Sequence, residues 1–231
     1  MVDFPEMDFA MPGVAAKETD FGVMSKDEWG DYALVKGVGP ADVSAAPREQ
    51  AHSAFARLDA ALAGFGMDFA DVARVWLYAD GILDWYADVN RARDDFFRER
   101  GVFDRFVPAS TGIGWSNGSG AKIVLGAFAA RSRVPGGIVR TPLPSPLQCP
   151  AFEYGSSFSR AVEAIYASRG LGWKDVTGAL VYLKEASFRP AWDRWLAAHP
   201  DFPKAHARSM VADVCRPEWL FEIESDATSC L

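Results

Sequence analysis

The sequence predicts an α+β fold in which two similar units follow one another along the chain. The 231 residues are 49% hydrophobic and 13% aromatic, which is enough apolar surface for a sizeable core without disulfide bonds. Helix-like and strand-like patterns alternate along the chain. A similar order of elements returns at an offset of 104 residues, where Gly66 matches Gly170, Asp71-Val72 matches Asp175-Val176 and Tyr78 matches Tyr182. These identities favour a duplication over a chance similarity of pattern.

The first unit contains two predicted helices and four predicted strands. Helices are predicted where apolar residues recur every three or four positions, and strands where β-branched and aromatic residues fill a short run. Pro47 suits the first turn of a helix, which Gly64 and Gly66 end. The second helix has an apolar stripe, and Arg93 is expected outside it. In order, the elements are a strand over 32–40, a helix from 47, a strand over 72–78, a helix from 82 to 97, and strands over 110–115 and 122–130 that residues 116–120 join as a hairpin turn.

The second unit repeats this order in a shorter stretch of chain. Its predicted elements are a helix over 157–169, a strand over 178–183, a helix marked by Phe188, Trp192 and Trp195, and closing strands over 207–215 and 218–226. We therefore divide the chain into an N-terminal arm (1–20), a first unit (21–133), a linker rich in proline and glycine (134–150) and a shortened second unit (151–231).

The charge distribution argues against several classes of partner. The formal net charge is −7, and residues 1–50 hold ten acidic but only four basic side chains. The rest of the chain is close to neutral, so we expect no nucleic-acid partner. No stretch approaches the roughly 20 apolar residues of a membrane span, and no secretory signal is visible, so we expect no membrane partner. The three cysteines are sparse and far apart, which favours a reducing, cytoplasmic location.

Motifs for metals and cofactors are absent from the sequence, and we expect neither. The three histidines, His52, His199 and His206, are scattered along the chain. The glycine-rich residues 118–122 lack the glycine spacing of a phosphate loop and the serine or threonine that follows its lysine.

Several motifs give the chain a resemblance to a known family. In residues 32–130, a strand that ends in glycine, the segment Gly66-Met-Asp-Phe-Ala-Asp-Val72 and the strand Val75-Trp-Leu-Tyr78 resemble the Rid/YjgF family. Further motifs resemble its duplicated relatives, the chorismatases, and these lie at 108–114, 145–150, 154–161, 213–216 and 220–227. The resemblance implies an α+β fold of tandem pseudo-duplicated Rid/YjgF (chorismate-mutase-like) αβαββ units, with a mixed sheet backed by helices. It also implies a homo-oligomer, usually a trimer with clefts between subunits.

One departure from the chorismatases lies at the start of the second unit. There the segment from Ser159 to Ile165 runs directly into Ser168–Gly172, where chorismatases have a hairpin before the helix. The second unit is therefore expected to lack part of the wall of a pocket.

The resemblance to chorismatases implies chemistry on chorismate or a related carboxylated cyclohexadiene or enol ether, in secondary metabolism. Hydrolytic release of pyruvate requires that an acid protonate a carbon of the enol ether. By resemblance this acid is Glu222, and strand alternation places Glu224 on the same face. Two close carboxyl groups in a half-buried strand tend to raise the pKa of one of them. The sequence leaves open whether this face is buried or is the solvent face of an edge strand.

Cys215 and several polar residues complete the candidate site. A neighbouring guanidinium, Arg216, favours a thiolate at Cys215, and by resemblance a cysteine here is typical of the 3-hydroxybenzoate-forming type. The alternative is that Cys215 is a small buried hydrophobe. Arg160 and Arg216 are candidates for binding a substrate carboxylate, because guanidinium pairs with carboxylates through two hydrogen bonds. The hydroxyl groups of Tyr154, Ser157 and Ser159 could also bind substrate, or could instead stabilise a tight turn.

Two alternative functions remain open on the sequence alone. Rid-type enamine/imine deaminases carry an arginine in a Pro-Ala-Arg-Ser pattern that holds a substrate carboxylate. Ser110 stands at that position in the first unit, whereas Ala207-Arg208-Ser209 restores the arginine in the second unit. A deaminase would therefore use Arg208. The third possibility is a catalytically silent or repurposed protein that binds a small carboxylate.

Overall fold

Two β-sheets pack face to face at the centre of the molecule, and helices cover their outer faces. The structure is a computed structural model that describes residues 13–140, Glu153 and residues 172–227. Its strands are β1 (Val14–Thr19), β2 (Gly22–Lys26), β3 (Gly30–Val38), β4 (Val72–Ala79), β5 (Ala109–Gly114), β6 (Ile123–Ser132), β7 (Val176–Leu183), β8 (Ala207–Val211), β9 (Asp213–Val214) and β10 (Phe221–Ala227). Its helices are α1 (Pro47–Ala63), α2 (Ile82–Glu99) and α3 (Arg189–Ala198).

The larger sheet has the strand order β1-β2-β3-β6-β4-β5-β9. Helices α1 and α2 cover one of its faces and bury a core rich in phenylalanine. In β4, Val75 and Leu77 pack toward these helices, whereas Trp76 and Tyr78 pack toward the second sheet. Because both faces of β4 are buried, its sequence is almost continuously apolar instead of alternating with polar residues.

The smaller sheet has the strand order β10-β7-β8. One of its faces packs on the larger sheet, where Leu180 and Tyr182 of β7 meet Trp76 and Tyr78 of β4. Aromatic rings from α3 and its surroundings pack around Val176 and Ala179 on the other side of β7. The smaller sheet is therefore a layer between the larger sheet and α3.

The topology confirms that the unit occurs twice. Strand β4 pairs in parallel with β5 and antiparallel with β6, and β7 pairs in the same way with β8 and β10. The repeated Asp-Val has a local cause, since Asp71 and Asp175 each close a 3-10 turn just before the strand. Asp71 Oδ2 accepts a hydrogen bond from the backbone N–H of Asp68 (3.1 Å), and Asp175 Oδ2 accepts one from the N–H of Gly172 (2.8 Å).

The hairpin predicted between residues 110–115 and 122–130 is wrong. Strands β5 and β6 are not neighbours, because β4 lies between them. The residues of the turn do close locally, with the N–H of Gly120 donating to the carbonyl of Asn117 (3.3 Å). Turn residues fix the local reversal of the chain but not which strands pair, and the parallel pairing of β4 with β5 decides the latter.

The single strand predicted over 207–215 is split in the structure. Residues up to Val211 belong to the smaller sheet, whereas β9 pairs with β5 of the larger sheet, with Val214 opposite Ile113. The chain therefore crosses from one sheet to the other at Ala212. This crossing carries Cys215 to the edge of the larger sheet.

Val14–Thr19, within the predicted N-terminal arm (1–20), form the edge strand β1, which was not predicted. Nearly all side chains of β1 are exposed, so the segment lacks the apolar alternation by which a strand is recognised. Strand β2, which pairs with β1 and β3, was also missed. The helix predicted over 157–169 and most of the predicted linker lie outside the described residues, and the division into units stays a prediction.

In the described ranges, 13–140 and 172–227, no helix is both long enough and apolar enough to cross a membrane.

Candidate active site

Strand β10 turns its acidic face toward the larger sheet. Glu222 lies opposite Tyr182 and Glu224 opposite Leu180 in the pairing with β7, so both share the face that packs on the larger sheet. The prediction that Glu222 and Glu224 share a face is confirmed. The structure also selects the buried face, although β10 is indeed an edge strand.

Glu224 is the centre of a buried hydrogen-bond network between the two sheets. Its Oε2 atom accepts hydrogen bonds from Arg74 Nη2 (2.5 Å), Trp76 Nε1 (2.8 Å) and Thr111 Oγ1 (2.8 Å). Its Oε1 atom accepts one from the hydroxyl of Tyr182 (2.8 Å). We call these five residues the Glu224 network. A carboxylate with four donors around it is a structural anchor.

The charges in the Glu224 network are matched. Burial alone would lower the pKa of Arg74, but Glu224 and then Asp226 raise it above its ordinary value. The pKa of Tyr182 is raised well above its ordinary value by burial and by the charge of Glu224. The hydroxyl of Tyr182 therefore stays protonated and donates a hydrogen bond to Glu224. The same hydroxyl accepts a hydrogen bond from the hydroxyl of Tyr78 (2.8 Å).

A second polar cluster surrounds Cys215, at the edge of the larger sheet beyond β5. Cys215 is 7% exposed and carries a free thiol, to which the side chain of Tyr86 on α2 is hydrogen-bonded. A Cβ atom added to Gly112 of β5 would lie 3.7 Å from Cys215 Cβ and 3.9 Å from the ring of Tyr86. The charge of Glu222 acts on this thiol as well. We call Tyr86, Gly112, Cys215 and Glu222 the Cys215 site.

The thiolate expected at Cys215 is corrected by the structure. Burial raises the pKa of the thiol to about 11, and the charge of Glu222 acts in the same direction. Arg216 lowers that pKa, as the sequence suggested, but its effect is smaller than that of burial. Cys215 is therefore a neutral thiol at neutral pH, and it also packs as part of the apolar core.

Arg216 follows Cys215 and lies nearer the surface. Its side chain is 32% exposed, and its Nη1 atom lies 3.7 Å from Glu218 Oε1. The guanidinium also lies over the ring of Trp219, at 5.8 Å from the centroid. Trp219 packs against both apolar cores, so it fixes Arg216 beside the point where the chain changes sheets.

Arg208 lies apart from the Cys215 site. It is an exposed residue of β8, and its partner across the parallel pairing is Leu180 of the central strand β7. Leu180 in turn lies opposite Glu224 on β10. Since neighbouring strands are about 4.8 Å apart, the backbone of Arg208 is roughly 10 Å from that of Glu224. Arg208 and Glu222 therefore lie on the two edge strands of the smaller sheet, with β7 between them.

Four predicted substrate-binding residues, Tyr154, Ser157, Ser159 and Arg160, lie outside the described residues. Of the eight predicted site residues, the structure therefore brings together Glu222 and Cys215, with Arg216 next to them.

Sequence reasoning missed the partners of Glu224 and the helix residues of the Cys215 site. Arg74 is the only charged residue of β4, and it lies on the same face of the strand as Trp76 and Tyr78. A lone charge in an otherwise apolar strand is a usable signal for a buried ion pair. On α2, Tyr86 is the helix residue that is hydrogen-bonded to Cys215.

Within the ranges that the structure describes, no group of three or more histidine, cysteine, aspartate or glutamate side chains is arranged to hold a metal ion.

Comparisons with known proteins bear on the fold. No family model matches the sequence, and no curated protein matches it significantly. A crystal structure of a chorismatase matches over 93% of this chain and 79% of the chorismatase, with a TM-score of 0.61 and 17% sequence identity. At this identity the match shows the fold, and it confirms the predicted chorismatase-like architecture of two repeated α+β units.

Smaller proteins match about half of the chain. The yjgF gene product of E. coli matches over 52% of this chain and 93% of its own, with a TM-score of 0.42 and 21% identity. The structure of E. coli TdcF with bound serine matches over 55% of this chain and 98% of its own, with a TM-score of 0.42 and 17% identity.

Proposed function

We propose that the protein is a chorismatase-like enzyme that acts on chorismate or a related carboxylated cyclohexadiene or enol ether. One observation carries the proposal: the charge of Glu222, in the smaller sheet, acts on the thiol of Cys215, which directly follows β9 of the larger sheet, and the resemblance to chorismatases singles out both residues. This juxtaposition occurs in a fold that matches a chorismatase over 93% of the chain.

In this proposal Glu222 is the general acid. It gives a proton to the terminal methylene carbon of the enolpyruvyl ether, and positive charge develops at the ether carbon. Water adds to that carbon and returns a proton to the Glu222 carboxylate. The hemiketal then breaks its bond to the ring oxygen while its hydroxyl proton passes to that oxygen, which releases pyruvate and the ring alcohol. Cys215 and Tyr78, which lie near Glu222, both have a raised pKa and stay neutral. In this proposal Glu222 is therefore the proton donor of the site.

The other site residues bind the substrate in this proposal. Arg216 and Arg160 pair with substrate carboxylates, and Tyr154, Ser157 and Ser159 supply hydroxyl groups. Cys215 lines the site as a neutral thiol held by Tyr86. No metal or cofactor is required, because protonation and addition of water need only an acid and a water molecule.

Incubation of the purified protein with chorismate tests the proposal. We expect release of pyruvate with formation of a ring alcohol or a hydroxybenzoate. Glu222→Gln should lower the rate by about 10²- to 10⁴-fold, because the amide has no acidic proton to give. The matched control is Glu99→Gln, at the exposed end of α2, which should keep the full rate. If the wild-type protein forms neither pyruvate nor hydroxybenzoate, or if Glu222→Gln is fully active, the proposal is wrong.

The alternative of an imine deaminase assigns substrate binding to Arg208. Its exposed position on β8, two strands from Glu222, gives this alternative less support. Ammonia release from 2-imino acids that is unchanged in Arg208→Ala would remove that role. A repurposed carboxylate-binding protein remains the third candidate, and full biological activity of Glu222→Gln would favour it.

We also propose a cytoplasmic homotrimer, on the basis of the sparse cysteines and the resemblance to Rid proteins. A native mass measurement that gives the mass of one chain would contradict the trimer. It would also contradict clefts shared between subunits.

A further inference from the structure

The segment between β5 and β6 contains an Asn-Gly pair that the proposed function does not use. Asn117 is partly exposed, and Gly118, Ser119 and Gly120 are exposed. The pair is typical of a hairpin turn, but it lies in a longer loop, because β5 and β6 are not neighbours. Water reaches the main chain easily at an exposed loop tip. A side-chain amide can also react there with the next backbone nitrogen, and glycine has no Cβ atom to shield that nitrogen.

The hydrogen bonds of Asn117 fold its side chain back over the following peptide. Its Oδ1 atom accepts hydrogen bonds from the backbone N–H (3.1 Å) and from the hydroxyl of Ser119. Its Nδ2 atom donates to the carbonyl of Ala121 (2.7 Å). The amide group is thus held in one orientation, with its oxygen directed at two donors. No backbone carbonyl of the described residues accepts a hydrogen bond from the N–H of Gly118.

This arrangement favours attack on the amide carbon of Asn117. When the nitrogen of Gly118 forms a bond to Cγ of Asn117, negative charge develops on Oδ1, and both donors of Ser119 already point at that atom. Donors placed where charge develops stabilise a tetrahedral intermediate. The reacting atoms belong to adjacent residues, so little entropy is lost in bringing them together.

We propose that Asn117 is a site of spontaneous deamidation, with water as the only co-reactant. The nitrogen of Gly118 loses its proton and forms a bond to Cγ of Asn117, the bond from Cγ to Nδ2 breaks, and ammonia leaves with that proton. The product is a succinimide ring. Water then adds to one of the two ring carbonyls and the ring opens, which leaves aspartate or isoaspartate at this position. Neither step involves oxidation or reduction.

The modification changes the charge and the geometry of the loop. Either product adds one negative charge and removes the donor to the carbonyl of Ala121. Isoaspartate also lengthens the main chain by one methylene group. The loop is anchored just beyond this point, because the N–H of Lys122 donates to Gln50 Oε1 on α1 (2.8 Å) and its Nζ atom pairs with Asp80 (2.8 Å). We therefore expect the change to stay local to the loop.

Peptide mass mapping of the full-length protein tests the proposal. After days in mildly alkaline buffer, the peptide with Asn117 should carry the mass of a carboxyl group in place of the amide, and ammonia should appear in solution. The chain has one other asparagine, Asn90, which serves as the internal control. Asn90 lies within α2, is followed by Arg91 and accepts a hydrogen bond from Arg93 (2.7 Å), so its peptide should stay unchanged. If both asparagines stay intact, or both react at the same rate, the proposal is wrong.

Three variants test the cause of the reaction. Gly118→Ala should slow it by roughly tenfold or more, because a Cβ atom hinders the approach of the nitrogen. Ser119→Ala removes the hydroxyl donor and should slow it by about three- to tenfold. The hydroxyl of Ser116 contacts Asp80 instead, so Ser116→Ala is the matched control and should leave the rate unchanged.

Unfolding separates the effect of the loop from that of the sequence. In urea the wild-type protein and Ser119→Ala should react at equal rates, because the hydrogen bonds of the loop are lost. An unchanged rate in folded Ser119→Ala would contradict the role of its hydroxyl. An unchanged rate in Gly118→Ala would overturn the attack by the nitrogen of residue 118.

Discussion

Glu222 and Glu224 are two residues apart on the same face of β10, yet the structure gives them different surroundings. Glu224 is 7% exposed and accepts hydrogen bonds from four side chains of β4, β5 and β7. Glu222 is half-buried and lies near the thiol of Cys215 at the edge of the larger sheet. Neighbouring side chains, and not residue type or strand position, therefore separate a structural carboxylate from a candidate catalytic one.

The difference follows from the crossing at Ala212. Around Glu224 the two sheets lie directly on each other, so donors from the larger sheet reach the carboxylate. Nearer to Glu222, the chain leaves the smaller sheet after β8 and pairs with β5 as β9, which places Cys215 and Arg216 beside the acidic face. The same crossing that ends one sheet creates the candidate site.

The largest expected effect is the loss of Glu224. Glu224→Ala leaves the buried guanidinium of Arg74 without its closest anion, and we expect the free energy of unfolding to fall by about 3–5 kcal/mol. Urea denaturation measures this change. Glu99→Ala, which removes an exposed partner of His52, should cost at most about 1 kcal/mol. A second comparison tests the cause of the loss. If the double variant Arg74→Met/Glu224→Leu is clearly more stable than Glu224→Leu alone, the loss comes from the unpaired charge of Arg74. A loss below about 1 kcal/mol in Glu224→Ala would show that the network is not an anchor.

The two repeated tyrosines should differ in their effects. Tyr182→Phe removes the donor to Glu224 and the acceptor of the hydroxyl of Tyr78, so we expect it to lower the free energy of unfolding by about 1–3 kcal/mol. Tyr78→Phe removes only the hydrogen bond from Tyr78 to Tyr182, so it should lower the free energy of unfolding by about 0.5–1.5 kcal/mol. Equal losses in thermal or urea unfolding would contradict the direction assigned to the hydrogen bond between them.

The smallest expected effect is on the thiol of Cys215. In a Cys149→Ser/Cys230→Ser background, the alkylation rate by iodoacetamide should rise with pH and level off only near the raised pKa of about 11. Glu222→Gln should move this midpoint to lower pH, because removal of a nearby negative charge favours the thiolate. Glu99→Gln should leave it in place. A midpoint that is unchanged by Glu222→Gln would show that the carboxylate is not close to the thiol.

The same raised pKa has a consequence for stability. A thiol that titrates at higher pH in the folded than in the unfolded chain stabilises the fold at low pH, and this contribution is lost as the pH rises. We expect the loss between about pH 9, the ordinary value for cysteine, and about pH 11. Cys215→Ala should flatten that part of the curve of unfolding free energy against pH.

Local sequence patterns were sufficient to place most of the helices and strands. Pro47 begins α1. After this helix the chain turns at Gly66, whose φ of +72° lies in the left-handed region that favours glycine. The repeated Asp-Val was recognisable in the sequence because its role is local. Each aspartate accepts a hydrogen bond from the backbone N–H three residues before it. Strand pairing was not predictable in this way. The hairpin assigned to residues 116–120 does turn locally, but the parallel contact of β4 with β5 excludes it.

The sequence by itself determined the repeat, the fold class and the shared face of Glu222 and Glu224, because these depend on spacing along the chain. Only the tertiary structure decided that this face is buried, that Arg74 takes Glu224 as its partner, and that Cys215 is a neutral thiol. It also decided that Arg93, expected on the outside of α2, is buried. These outcomes depend on which surfaces meet across the two sheets and on how much water they exclude, and neither quantity is written in local spacing.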